Sequence, residues 1–84
     1  MHKTTARFWA CFYALPEQVQ KLARKNYELL KENSRHPSLR FKKVGKLWSA
    51  RVGGNHRALA MEDDKGYVWV WIGTHQEYDQ LING

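Results

Sequence analysis

The sequence has little with which to cross-link, punctuate or anchor itself. It holds one cysteine, Cys11, and two prolines, Pro16 and Pro37, in 84 residues. A lone cysteine has no partner within the chain, so a disulfide scaffold is excluded and no oxidising compartment is implied. Its ordinary role is that of a small buried hydrophobe. No apolar run approaches the roughly 20 residues needed to span a bilayer. The uncharged stretch Phe8 to Leu15 follows His2, Lys3 and Arg7 and faintly resembles a signal peptide. It lacks a small-x-small cleavage site, however, and runs directly into Pro16-Glu17 and a helical pattern. The expectation is a cytoplasmic protein with no membrane segment.

Metal and phosphate-loop signatures are also missing. His36, His56 and His75 lie about twenty residues apart, which is no zinc spacing. Gly53-Gly54 has neither the P-loop nor the Rossmann spacing and reads as a turn. Asp63-Asp64 is turn chemistry, too sparse for a two-metal site. No metal and no cofactor are expected.

What is present is ordinary globular composition, 43% hydrophobic and 26% charged, which excludes disorder and collagen. The length fits one domain over residues 1–84, a size that buries only about 60–65% of its unfolded surface. The net charge of +6 is unevenly placed. Residues 33–61 carry seven Lys/Arg (Arg35, Arg40, Lys42, Lys43, Lys46, Arg51 and Arg57) and no acid. Residues 62–84 carry one lysine and five acids. An acid-free basic stretch containing Phe41 and Trp48 suits a polyanion, either nucleic acid or an acidic protein. The alternative is a solvated face on a basic protein.

Thr4 or Thr5 can cap a helix over Ala6 to Ala14, with Phe8, Cys11, Phe12 and Leu15 at helical spacing. Pro16 suits the first turn of a second helix, in which Val19, Leu22, Ala23, Asn26, Leu29 and Leu30 form one stripe. That helix stops near Asn33-Ser34. The two would form a hairpin with little loop between them. After Pro37 the period becomes two. Strands are expected over Leu39 to Val44, Leu47 to Val52, His56 to Glu62 and Tyr67 to Ile72, separated by turns at Gly45-Lys46, Gly53-Gly54-Asn55 and Asp63 to Gly66. Trp48, Ala50 and Val52 fall on one side of the second strand, and Leu47, Ser49 and Arg51 on the other. The last strand is apolar on both faces, so it should be central or covered on both sides. Thr74 can cap a final turn of helix over Gln76 to Leu81. The expected fold is α+β: an N-terminal helical hairpin packed on a twisted four-stranded antiparallel sheet, with a short C-terminal helix.

Two segments carry a family likeness. One is Leu47-Trp48-Ser49-Ala50-Arg51-Val52-Gly53-Gly54-Asn55-His56-Arg57-Ala58-Leu59; the other is Trp71-Ile72-Gly73-Thr74-His75-Gln76-Glu77-Tyr78-Asp79. With His36 to Lys43 leading into the sheet, they resemble the RelE/ParE superfamily of toxins from bacterial type II toxin–antitoxin systems. The likeness covers about residues 6–82 in order, size and spacing. It implies the helical-hairpin-on-sheet fold and neutralisation by a cognate antitoxin in a possible hetero-oligomer. RelE-like members cut mRNA in the ribosomal A site; ParE-like members poison DNA gyrase without that active site.

Metal-free RNA cleavage needs a base for the 2′-OH, cations for the phosphate and an acid for the 5′-oxygen. The resemblance places Arg57 at the arginine of the family's Tyr-Arg strand and Arg51 at a basic position on the preceding strand, as phosphate clamps. A guanidinium is a fixed bidentate phosphate donor. His75 and Tyr78 are the alternative acid or base. Arg40, Lys42, Lys43 and Lys46 are the expected RNA-binding cations. Ser49 stands where RelE has another lysine, and His56 where the family has tyrosine. Three activities therefore stand open: a ribosome-dependent mRNA endonuclease that inhibits translation, a gyrase poison, and a degenerate protein that only binds antitoxin. Arg51 and Arg57 could equally be sheet-surface charges, His75 a helix cap and Tyr78 a core ring.

Overall fold

The computed structural model describes residues 2–83. In chain order the elements are β1 (His2–Thr4), α1 (Ala6–Tyr13), α2 (Glu17–Glu32), β2 (Lys42–Val44), β3 (Leu47–Val52), β4 (His56–Asp63), β5 (Gly66–Thr74) and α3 (His75–Asn83). A 3-10 turn over Pro37–Leu39 leads into β2. The five strands form one sheet in the order β1-β5-β4-β3-β2.

The α+β layering agrees with expectation, and three details do not. The sheet has a fifth strand, β1, and it pairs parallel to β5, with His2 opposite Tyr67 and Thr4 opposite Trp69. Three largely polar residues carry no period-two signal, and their partner lies more than sixty residues away. The expected first strand is also shorter. Pro37 and the capping ring of His36 wind residues 37–39 into a 3-10 turn, and Arg40 takes a left-handed conformation at φ 44°. Leu39 therefore leaves the strand and enters the core at 1% exposure. The helical hairpin is splayed: α1 lies over β5 and α2 over β3. A cavity of about 450 Å³ opens between them, lined by Phe8, Phe12, Tyr27 and Leu30 among others.

Both faces of the sheet are packed. On one, Phe12 and Leu30 from the helices meet Ala50, Val52, Ala58, Trp69 and Ile72. On the other, Tyr78 of α3 meets Leu59 and Trp71. A register shift makes this possible. Leu59 pairs with Trp71 but Ala60 pairs with Trp69, so β5 carries one residue more, Val70. The bulge breaks strict alternation, and Val70 and Trp71 both join the outer cluster. The expectation that this strand is covered on both sides is met.

Turn chemistry fixes the residue type where α2 approaches the sheet. Gly53 has φ +64°, and a Cβ there would lie 2.7 Å from Leu22 Cδ2. The left-handed turn calls for glycine, whereas the Leu22 methyl is the end of a flexible side chain that can move aside.

Thr5 ties α1 to the sheet. Its Oγ1 accepts from the Phe8 N–H at 3.1 Å and donates to the Trp69 carbonyl at 3.1 Å. Thr5→Ala removes the helix cap and a tertiary hydrogen bond together, and is expected to cost about 1–2 kcal/mol. For a domain of this size each kcal/mol lowers Tm by about 4–8 °C. Thermal melts of Thr5→Ala and Thr5→Ser, with serine retaining most of the stability, check this.

Candidate functional site

The outer face of the sheet collects cations at one end. Arg51 and Arg57 are direct cross-strand neighbours on β3 and β4, and Arg57 is followed across β5 by Gly73. Both guanidiniums bond to main-chain carbonyls: Arg51 Nε donates to Gly53 O at 2.9 Å, and Arg57 Nη1 to His56 O at 2.8 Å. Among the described residues neither forms an ion pair. Burial, then the facing Arg51, holds the Arg57 guanidinium below its ordinary range; Tyr78 and Asp79 pull it back and Arg40 opposes it again. An arginine stays charged at neutral pH regardless. Two like charges, directly opposite and without an ion pair of their own, make a site that an anion would relieve.

The four expected RNA-binding cations divide. Lys42 pairs with Ser49 in register and so shares the face of Arg51 and Arg57. Arg40 acts electrostatically on Arg57 and belongs to the same cluster. Lys43 pairs with Trp48 and lies on the helix-covered face. Lys46 sits in the β2–β3 turn, at the opposite end of β3 from Arg51. Ser49, where a further lysine would stand by resemblance, is 2% exposed.

Beside the arginines the start of α3 is firmly built. Thr74 and Glu77 form a capping box. The Thr74 N–H and hydroxyl both donate to Glu77 Oε1 at 2.9 Å, and the Glu77 N–H donates to Thr74 Oγ1 at 3.1 Å. The His75 N–H donates to the Asn55 carbonyl at 2.6 Å, which locks α3 to the β3–β4 turn. His75 Nδ1 lies 3.0 Å from Asp79 Oδ2, one helical turn on, with both side chains about half exposed. Gly54, Asn55, Thr74, His75, Gln76 and Asp79 line a shallow depression. Tyr78 differs from His75: its side chain is 6% exposed and packed with Leu59 and Trp71, with the ring centroid 6.1 Å from that of His75.

Gly73 is required by packing. A Cβ there would run into the Trp71 indole and come within 2.9 Å of Glu77 Oε1. The glycine lets Trp71 lie over the strand beside Arg57.

Thus Arg51, Arg57, His75 and Tyr78 gather at one end of the outer face, with Arg40 and Lys42 on the same side. Asp79 is the residue that sequence reasoning left without a role. Its signal was available as the His75-x-x-x-Asp79 spacing, which puts both side chains on one helical face. Groups of His, Cys, Asp and Glu able to hold a metal ion are absent among the described residues. No helix among them is long and apolar enough to cross a membrane.

A splayed helix pair on one face of a mostly antiparallel sheet, with a third helix on the other, defines a RelE-like α+β fold. A chain of the RelB–RelE antitoxin–toxin complex from Methanococcus jannaschii superposes with a TM-score of 0.73. The match covers 94% of this chain and 96% of that one at 16% identity. A chain of the toxin–antitoxin complex RelBE2 from Mycobacterium tuberculosis superposes with a TM-score of 0.67, covering 89% of this chain and 96% of that one at 16% identity. At such identity the likeness is one of fold. The family model of the ParE-like toxin domain matches residues 17–80. The chain therefore belongs to the ParE-like toxin family, within the RelE/ParE superfamily. Among curated proteins no sequence matches it.

The capping box gives a pH-dependent prediction. The hydrogen bonds from the Thr74 backbone and then its hydroxyl hold the Glu77 carboxyl below its usual range. A depressed carboxyl contributes stability that is present above its unfolded pKa and lost as pH falls through the folded value. Wild type should therefore be more stable than Glu77→Gln at neutral pH, with the gap closing through the acid range. Paired denaturation curves at pH 7 and pH 3 check this.

Proposed function

We propose that this chain is the toxin of a toxin–antitoxin pair and a metal-free endoribonuclease acting on mRNA at the ribosome. The observation that carries the reading is one juxtaposition: the Arg51–Arg57 pair, without an ion pair among the described residues, beside the half-exposed His75–Asp79 pair.

The chemistry follows from those groups. Asp79 accepts from His75 Nδ1–H and fixes the tautomer, leaving the Nε2 lone pair for catalysis. Nε2 takes the proton of a 2′-OH. The 2′-oxygen then attacks the adjacent phosphorus, the P–O5′ bond breaks, and the imidazolium returns a proton to the leaving 5′-oxygen. The products are a 2′,3′-cyclic phosphate and a 5′-hydroxyl. Arg57 and Arg51 stabilise the charge that develops on the non-bridging oxygens. Arg40 and Lys42 extend the cationic track along the same face for the RNA backbone. Burial of Tyr78 favours His75 as the acid–base group and gives Tyr78 the role of a support beneath it. Buried Ser49 supplies no cation, so this site relies on arginines.

Family membership favours a second reading. The matching family is ParE-like, and resemblance to that branch implies a gyrase poison, for which the basic face would be a binding surface. An antitoxin partner is supported by the fold neighbours, both of which come from antitoxin–toxin complexes. The cavity under α2 is the proposed seat for antitoxin side chains. Alanine substitution at Leu30, which lines the cavity, and at Val19 and Leu22 farther along the same helix should weaken neutralisation.

Inducible expression in a bacterium, with mapping of mRNA 5′ ends, tests the reading. Wild type should arrest growth and produce new cuts inside translated frames. Arg57→Ala and His75→Ala should each reduce cutting by about a hundredfold or more, and Asp79→Asn less. Arrest with intact mRNA and double-strand DNA breaks would overturn the nuclease and favour the gyrase poison. Soluble protein without arrest would leave only an antitoxin-binding role.

A further inference from the structure

We propose that β1 is a pH-released clasp, held closed by neutral His2 and covering the cavity between α2 and the sheet.

The strand is short and lightly paired. It is three residues long, sits at the sheet edge and pairs only with β5. Two side chains anchor it: Thr4 Oγ1 accepts from Trp9 Nε1 of α1 at 2.8 Å, and His2 supplies the anchor that can titrate. Trp69 Nε1 donates to His2 Nδ1 at 3.1 Å. An indole N–H can only donate, so Nδ1 must be the unprotonated nitrogen and the ring must be neutral. The ring also stacks on Tyr67 at 5.4 Å between centroids and meets the edge of Tyr27 at 6.0 Å. Tyr67 and Trp69 belong to β5 and Tyr27 to α2, so one imidazole joins the strand, the sheet and the helix.

Protonation would break the hydrogen bond from Trp69. It would put an N–H against the indole N–H, two donors facing. It would also place a cation among positive neighbours. Burial, then the amino-terminal charge and Lys31 of α2, lower the pKa of His2. Lys31 lies 4.9 Å from the Tyr27 ring centroid and 3.0 Å from Glu28. Among the described residues, the charge that acts on the imidazole is that of Lys31, which is positive.

Release of β1 has a structural consequence. His2, Lys3 and Thr4 line the cavity together with Phe8, Tyr27 and Trp69. Opening the clasp exposes that apolar space to solvent or to a ligand. The sign is fixed by the lowered pKa. The clasp is complete above the ordinary histidine value of about 6.5 and is lost as pH falls below it through the folded value.

Amide hydrogen exchange and binding of an apolar fluorescent dye, on the full chain from pH 8 to pH 5, test the clasp. The β1 amides that bond to β5 should lose roughly tenfold or more protection on acidification, while β3 and β4 keep theirs. Dye binding should rise over the same range, and the Trp69 indole N–H resonance should shift with His2 titration. His2→Asn keeps an acceptor near the Nδ1 position and cannot be protonated; it should stay closed at pH 5. Opening that persists in His2→Asn, or His2 titration in wild type with β1 still protected, would overturn the proposal. This test does not depend on whether the protein cuts RNA.

Discussion

The register shift between β4 and β5 is the constraint on which the rest of the structure depends. A regular strand delivers alternate residues to opposite faces, and a single apolar strand cannot then fill two cores of unequal depth. The extra residue at Val70 lets Trp69 and Ile72 serve the helix-covered face while Val70 and Trp71 serve the outer one. Without the outer cluster Tyr78 would have no socket and α3 no fixed position. His75 and Asp79 stand beside Arg57 because Trp71 lies across Gly73 and receives Tyr78. The bulge thus connects the hydrophobic core to the placement of polar groups at the site.

The electrostatics follow from the same layout. Arg51 and Arg57 face each other across a strand pair whose own acids, Glu62 and Asp63, lie at the far end of β4, while Asp79 of α3 acts on Arg57. Like charges opposed in this way are unfavourable unless an anion joins them. Their hydrogen bonds to Gly53 O and His56 O orient the guanidiniums without neutralising them. Oriented cations of this kind suit a phosphate or a partner's carboxylate, and the proposed function assigns them a phosphate.

Much of this was legible in the sequence because local pattern and tertiary demand agree. The α2 stripe of Val19, Leu22, Leu29 and Leu30, the turns at Gly45 and Gly53, and the two-sided apolar character of β5 all read directly. Arg51 and Arg57 could be placed together because tight turns force antiparallel pairing. What could not be read depends on distant or non-repeating contacts. The strand β1 is too short and polar to show a period, and its partner is remote in sequence. The left-handed Arg40 and the bulge at Val70 are single-residue events set by packing. Lys43 and Lys46 look equivalent to Lys42 in sequence, yet strand alternation and the turn place them elsewhere. Asp79 was within reach, since its spacing from His75 is helical, but its role appears only once α3 is seen to present both groups together.

The central claim is that the arginine pair and the histidine–aspartate pair act on one scissile phosphate through a 2′-oxygen. Incubation of the purified protein with translating ribosomes programmed with two mRNAs tests it most directly. One mRNA carries a normal ribose at the cut site and the other a single 2′-deoxy substitution there. The account predicts cleavage of the first, ending in a 2′,3′-cyclic phosphate, and survival of the second. Equal cleavage of both, or of neither, would contradict it.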